Sequence, residues 1–172
     1  DITAFFKQIT DDKFAVTGGE LAKLSNQFYL VGGQRFDGQY NPMGHGTYVQ
    51  TYTEAIQKFT LNNSGATLSY SGYEKITDPI HLHRRDYNLL SHIFPDGSEG
   101  LVISSGVFQP FVDLPFLYPV EIKEDSYVAK TEFNQYLNNY HTAHTNIYDS
   151  LENKMTSLFF GGISQYYYVD GA

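Results

Sequence analysis

A hairpin-like pattern occurs three times along the chain, in residues 14–33, 87–106 and 146–162. Each copy reads as an alternating strand, a short polar turn and a second, apolar strand that ends in small residues. The turns contain the residue types that antiparallel hairpins need. A pattern that recurs in this way predicts an array of similar antiparallel units.

Two further strands are predicted after each of the first two hairpins. They span residues 52–61 and 66–76 in the first unit, and residues 116–122 and 127–136 in the second. The first unit also carries an insertion, which we predict to be a glycine-rich loop over residues 34–50. The predicted units cover about residues 12–76, about 81–136 and, for an incomplete third, about 140–172.

The composition agrees with a fold made of strands. The chain has 15 Tyr and 13 Phe, aromatic residues make up 16% of it, and only 17% of residues are charged. Aromatic side chains suit the pleated, half-buried surface of a sheet. We therefore predict an all-β fold of antiparallel four-stranded units. A β-sandwich made from the same strands is the alternative, because strand positions alone do not fix a topology.

Charge and hydropathy exclude several classes of partner. The net charge is −8, and the longest basic run is Arg84-Arg85, which is too short to follow a phosphate backbone. The chain contains no apolar stretch of 18 residues, so we expect no membrane span. It also contains no cysteine, which excludes a disulfide framework and a thiolate metal site.

The closing residues of the hairpins resemble those of kelch repeats, which are four-stranded blades of a β-propeller. Residues 29–33 and 158–162 end in a di-glycine, and residues 101–106 are a degenerate version. The resemblance implies about two and a half blades of a ring that usually has six or seven. The remaining blades would belong to a longer chain, and this repeat type is similar to that of secreted or cell-surface propellers. The chain departs from the family pattern in having no Trp.

Polar clusters precede the first strand of the second and third units, at residues 81–86 and 139–144. The resemblance implies that Arg84, Arg85, His141 and His144 line a ligand-binding rim near the central channel. The alternative is that these side chains donate hydrogen bonds that close loops. The complete set of ligand-binding candidates is Arg84, Arg85, His141, His144, His83 and Tyr40.

Metal and catalytic chemistry have weaker support in the sequence. His81 and His83 lie on one side of an extended segment near Asp86, but no third ligand is indicated, so we predict no metal and no cofactor. No acid/base pair, nucleophile elbow or phosphate loop is recognisable, so no catalytic residue is predicted.

The predicted function is a binding or scaffold segment that recognises protein or glycan through loops on one face. Aromatic loop residues suit such contacts, since they offer a large contact area at low entropic cost. The alternative is part of a kelch-type propeller enzyme that acts on carbohydrate or a related small molecule. The aromatic candidates are Phe36, Tyr40, Tyr48, Phe108, Phe111 and residues 166–168.

Overall fold

The structure, a computed structural model, describes residues 1–41, 43–44, 46–167 and 169–171. Within these ranges the chain forms twelve β-strands and two short 3-10 helices, Thr3–Phe5 and Asp12–Phe14. The all-β prediction is confirmed, and neither helix approaches the length of a membrane crossing. The strands are β1 (Glu20–Leu24), β2 (Gln27–Val31), β3 (Gln34–Gly38), β4 (Tyr48–Tyr52), β5 (Ala55–Ser64), β6 (Thr67–Thr77), β7 (Asn88–Ile93), β8 (Glu99–Ser104), β9 (Val120–Ile122), β10 (Tyr127–Ala129), β11 (Ala143–Asp149) and β12 (Lys154–Phe160).

Eight of these strands form two antiparallel four-stranded sheets with the same internal order. Sheet one runs β1-β2-β5-β6, and sheet two runs β7-β8-β9-β10. In both, a hairpin is followed by a third strand that pairs with the second strand of the hairpin. The two predicted four-stranded units are therefore present as sheets. The strands β11 and β12 form a further antiparallel hairpin.

Three local predictions are wrong. The strands predicted at residues 116–122 and 127–136 are shorter, with β9 at Val120–Ile122 and β10 at Tyr127–Ala129. The first strand is not at residues 14–17 but at Glu20–Leu24, because Asp11 caps a short helix that turns the Phe14 ring onto Phe59, 4.8 Å away between ring centroids. The segment at residues 34–50 is not a loop throughout. Its ends form the paired strands β3 and β4, in register from Gln34↔Tyr52 to Gly38↔Tyr48.

The core lies between one face of sheet one and one face of sheet two. Residues that pair directly on neighbouring strands point to the same side of the sheet. Val31 therefore shares a face with its partner Ile56, and Leu101 shares a face with its partner Ile122. Burying a side chain of this size contributes roughly 1.5–3 kcal/mol. The buried residues of the cluster are Leu24, Tyr29, Val31, Ile56, Leu82, Tyr87, Leu89, Leu101, Ile103, Val120 and Ile122.

The sheets approach each other through their first strands. The strand β1 lies against β7 and β8, and β7 also lies against β11. Sheet two consequently has a neighbour on each face, sheet one on one side and the β11–β12 hairpin on the other. The Asn146 side chain fixes the hairpin by donating to the Ser91 carbonyl at 2.6 Å.

The di-glycine that follows β2 contacts two other segments of the chain, residues 17–19 and Arg84. Gly33 has a φ of 76°, and its N–H donates to the Arg84 carbonyl at 2.6 Å. A Cβ at this position would lie 2.5 Å from the Gly19 nitrogen and 2.7 Å from the Thr17 carbonyl oxygen. Only glycine fits such a position, because both the backbone angle and the space exclude a side chain.

We expect the substitution Gly33→Ala to lower the free energy of unfolding by about 3 kcal/mol, through a left-handed backbone and a clash with neighbouring backbone atoms. Gly72→Ala is the matched control, because Gly72 has a φ of 60° but nothing within 4 Å of its Cβ position. The control should lose only about 1 kcal/mol. Urea denaturation measures both values. Equal losses would contradict the claim that close backbone contacts at Gly33 exclude a side chain.

Candidate functional site

Segments from distant parts of the chain meet at the end of the sheets where β2 and β8 finish. Gly33 contacts Arg84 through its N–H, and Asp86 donates its own N–H to the Gly18 carbonyl at 2.8 Å. An isolated antiparallel bridge joins Arg85 to Val107 in the loop that follows β8. Thr142, just before β11, donates its N–H to Asn88 Oδ1 at 3.1 Å. The two predicted polar clusters therefore lie at one end of the sheets.

Arg84 is fully buried beneath this end. Its Nε donates to the His81 carbonyl at 2.8 Å, and its Nη1 donates to the Ser105 and Tyr118 carbonyls at 2.6 and 2.8 Å. The guanidinium also lies 4.0 Å from the centroid of the Phe116 ring. Burial lowers the pKa of Arg84 to about 10, which leaves it charged at neutral pH. These contacts give Arg84 the loop-closing role that the sequence left as an alternative.

Arg85 points instead towards a cavity of about 330 Å³. Its side chain is 21% exposed, and its Nε lies 3.6 Å from Asp86 Oδ2. The guanidinium lies 4.4 Å from the centroid of the Phe108 ring. We call this cavity the rim cleft, and its walls include Arg85, Phe108, Asp113, Asn138 and Tyr140.

His83 packs against Tyr52, which is a neighbour of Arg85. Its ring stacks on Tyr52, with 3.8 Å between ring centroids, and its Nδ1 lies 2.8 Å from Glu54 Oε1. Burial raises the pKa of Tyr52, and the nearby Arg85 guanidinium offsets part of that rise. Tyr52 is therefore a protonated phenol that His83 holds next to Arg85.

The segment before β11 lines the rim cleft with Asn138 and Tyr140. His141 Nε2 lies 3.9 Å from Asp86 Oδ1. Burial, and then the neighbouring carboxylate of Asp86, raise the pKa of Tyr140. His144 lies apart from the rim cleft, on β11, where it pairs with Phe159.

The β3–β4 hairpin carries a row of aromatic side chains, Phe36, Tyr40, Tyr48 and Tyr52, which we call the aromatic wall; Tyr52 is a neighbour of Arg85, and Tyr40 is a neighbour of Tyr140. The rings of Phe36 and Tyr48 stack with 5.0 Å between centroids, and Tyr40 lies 5.8 Å from Tyr48. The register places Phe36, Tyr48 and Tyr52 on the same face of the hairpin, so the wall leads towards Arg85. Tyr40 is 70% exposed at its outer end.

The structure thus brings together some of the predicted ligand-binding residues and separates others. Arg85 and His141 lie next to Asp86, His83 stacks on Tyr52, and Tyr40 stands at the edge of the aromatic wall. Sequence reasoning missed the roles of Tyr52, Asp113 and Tyr140, although the alternation of Tyr48, Gln50 and Tyr52 is a signal that could have identified Tyr52. Phe111 is exposed on the loop after β8, Tyr166 packs edge-on against Tyr136, and Tyr168 lies outside the described residues.

Strained backbone is concentrated at this end of the molecule. A left-handed conformation costs a non-glycine residue roughly 1–2 kcal/mol. Such strain persists where the surrounding structure holds it, often at binding sites. The non-glycine residues with positive φ here are Glu54 (51°), Asp86 (57°), Ser105 (63°), Phe108 (63°) and His141 (39°).

The two histidines considered for a metal have separate partners. His81 Nδ1 lies 2.9 Å from the Tyr118 hydroxyl, whereas His83 contacts Glu54. Throughout the described ranges, no group of three or more His, Asp or Glu side chains is arranged to hold a metal ion.

We compared the chain with known proteins at three levels. No protein-family model, no curated protein and no solved structure matches it. The interpretation of the rim cleft therefore depends on its own geometry.

Adjacent arginines provide a test of these assignments. We expect Arg84→Met to lower the free energy of unfolding by about 3–5 kcal/mol, because it leaves buried carbonyls without a charged donor. Arg85→Met removes a partly exposed cation and should cost less than about 1 kcal/mol. Urea denaturation measures the loss of stability in both variants. A similar loss in the two would contradict the assignment of a structural role to Arg84 and not to Arg85.

Proposed function

We propose that this chain is a stretch of a kelch-like β-propeller and that it binds a ligand, protein or glycan, in the rim cleft. The observation that carries the binding proposal is the convergence of Arg85, Asp86 and Tyr140 with five strained residues at one end of the sheets. Natural sequences retain such strain where it positions side chains for function.

The arrangement of the sheets supports a propeller over a sandwich. A sandwich packs two sheets face to face, whereas sheet two here has neighbours on both faces. The strands β1, β7 and β11 are each the first strand of their sheet, and they lie next to one another. Blades of a propeller converge in this way on a central channel.

The chemistry of the rim cleft supports binding. Tyr140 lines the cleft and Tyr52 lies next to Arg85, and both phenols, whose pKa burial raises further, are hydrogen-bond donors at neutral pH. Arg85 adds a charged donor, and Asp113 adds an acceptor. The exposed Tyr40 ring and the half-buried Phe36 and Tyr48 rings provide contact area for a ligand.

We expect ligands selected from a displayed peptide library or an oligosaccharide array to depend on Arg85. Arg85→Met should weaken their binding at least about tenfold, because it removes a charged hydrogen-bond donor from the cleft. Leu151→Lys is the control, since Leu151 is 96% exposed in the turn between β11 and β12. Surface plasmon resonance measures the affinities. If the selected ligands bind both variants as well as the original chain, the rim cleft is not the binding site.

The outward-facing sides of sheet one and of the β11–β12 hairpin support the presence of further blades. One face of the β11–β12 hairpin leaves apolar side chains exposed, with Ile147 at 56%, Leu158 at 40% and Phe160 at 64%. At the other end of the array, Leu21 on β1 is 57% exposed. Stacked repeats need their apolar faces covered by a neighbour. We propose that additional sheets of the same type cover both faces.

The exposed faces predict that the 172-residue chain associates with itself in solution. Leu158→Lys should reduce this association, because it places a charge in the middle of an apolar face. Leu151→Lys adds the same charge in the hairpin turn and should leave the association unchanged. Sedimentation equilibrium measures the average mass of each. A folded wild-type chain that remains monomeric at high concentration would argue against missing blades.

A further inference from the structure

We infer that the ligand of the rim cleft is an uncharged oligosaccharide, with one sugar unit in the cavity and the next units along the aromatic wall. This inference rests on the proposed binding function and adds the chemical class of the ligand. It follows from the size of the cavity, the balance of charge inside it and the row of rings beside it.

The size of the cavity favours a small, compact group. Its volume of about 330 Å³ lies at the lower end of the range for small-molecule sites, roughly 300–1,000 Å³. A single sugar ring fits within such a space. A protein partner that binds through a typical interface covers roughly 800 Å² on each side, and only an inserted side chain would reach into this recess.

The positive charge of Arg85 is offset by nearby carboxylates. Arg85 lies beside Asp86, and Asp113 lines the same cavity as Arg85. Because the one arginine is outnumbered by two carboxylates, the cleft does not select an anionic ligand. Arg85 supplies donors, Asp113 supplies acceptors, and the Tyr140 hydroxyl can do both. Sugar hydroxyls also donate and accept, so they can pair with each of these groups.

Arg85 is also oriented for such contacts before a ligand arrives. Its guanidinium is held over the Phe108 ring at 4.4 Å, and Phe108 itself has a strained φ of 63°. A planar donor that is already held in place loses less conformational entropy when it binds. The strain at Phe108 is thus connected to the position of the group that would contact the sugar.

The aromatic wall extends the site beyond a single sugar unit. Tyr48 and Tyr52 are four residues apart on β4, about 13 Å at the rise of an extended strand. The Phe36 and Tyr40 rings continue the wall around Tyr48. Tyr48 already stacks on Phe36 and Tyr52 on His83, so these rings are half-buried, whereas Tyr40 is exposed. The exposed area of such rings can pack against the apolar C–H face of a sugar. A linear chain of sugars therefore matches the wall better than an isolated monosaccharide.

Isothermal titration calorimetry with neutral tri- to hexasaccharides of glucose, xylose, mannose and N-acetylglucosamine tests the inference. We expect at least one series to bind, with affinity that rises with chain length. Arg85→Met should weaken binding about 10- to 100-fold, and Tyr48→Ala about five- to tenfold. Phe5→Ala is the matched aromatic control, since Phe5 is 86% exposed on the N-terminal helix and should leave the affinity unchanged. Melting temperatures confirm that each variant is folded.

Each remaining outcome has a definite meaning. Preferential binding of uronic-acid oligosaccharides, weakened by salt, would contradict the argument from balanced charge. If no oligosaccharide binds but a selected peptide does so through Arg85, the carbohydrate inference is wrong and the proposed binding function stands. If neither class binds, both proposals fail. Oligosaccharide binding that Arg85→Met and Tyr48→Ala leave unchanged would place the sugar site elsewhere.

Discussion

Arg84 joins the end of sheet two to the end of sheet one through its side chain and its backbone. It binds the carbonyls of Ser105, at the end of β8, and of Tyr118, just before β9, and its own carbonyl accepts from Gly33 at the end of β2. Loop backbone that is buried must find hydrogen-bond partners. A single charged side chain meets that need for several loops, so these loops can close against the sheets and hold the rim cleft open above them.

Much of the fold could be predicted because its signals are local. The hairpins ending near Gly33, Gly106 and Gly162 follow from alternation and from small closing residues, and their strands lie close to the predicted positions except for the first strand of the first hairpin. The failures came from contacts between distant segments. Phe14 looks like part of a strand but packs on Phe59 across the sheet, and the glycines of residues 34–50 concealed the pairing of β3 with β4.

The candidate site was harder to predict because it depends on direction as well as residue type. Arg84 and Arg85 have the same chemistry, but neighbouring residues of an extended segment point to opposite sides, so one is buried and the other reaches the cleft. The sequence singled out both arginines, but it did not show which one is buried and which one reaches the cleft. Tyr52, Asp113 and Tyr140 come from three separate loops or strands, and only the tertiary fold brings them near Arg85.

The β3–β4 hairpin leaves sheet one after β2 and returns at β5, two strands that pair directly with each other. The Thr53 N–H donates to the Gly33 carbonyl at 3.0 Å and closes the base of this excursion. The sheet therefore contains no residue of the hairpin and does not depend on its length. The aromatic residues of this hairpin can therefore be substituted, or the whole hairpin can be moved to another four-stranded unit, without a change in the sheet. Specificity can thus evolve in this segment separately from stability.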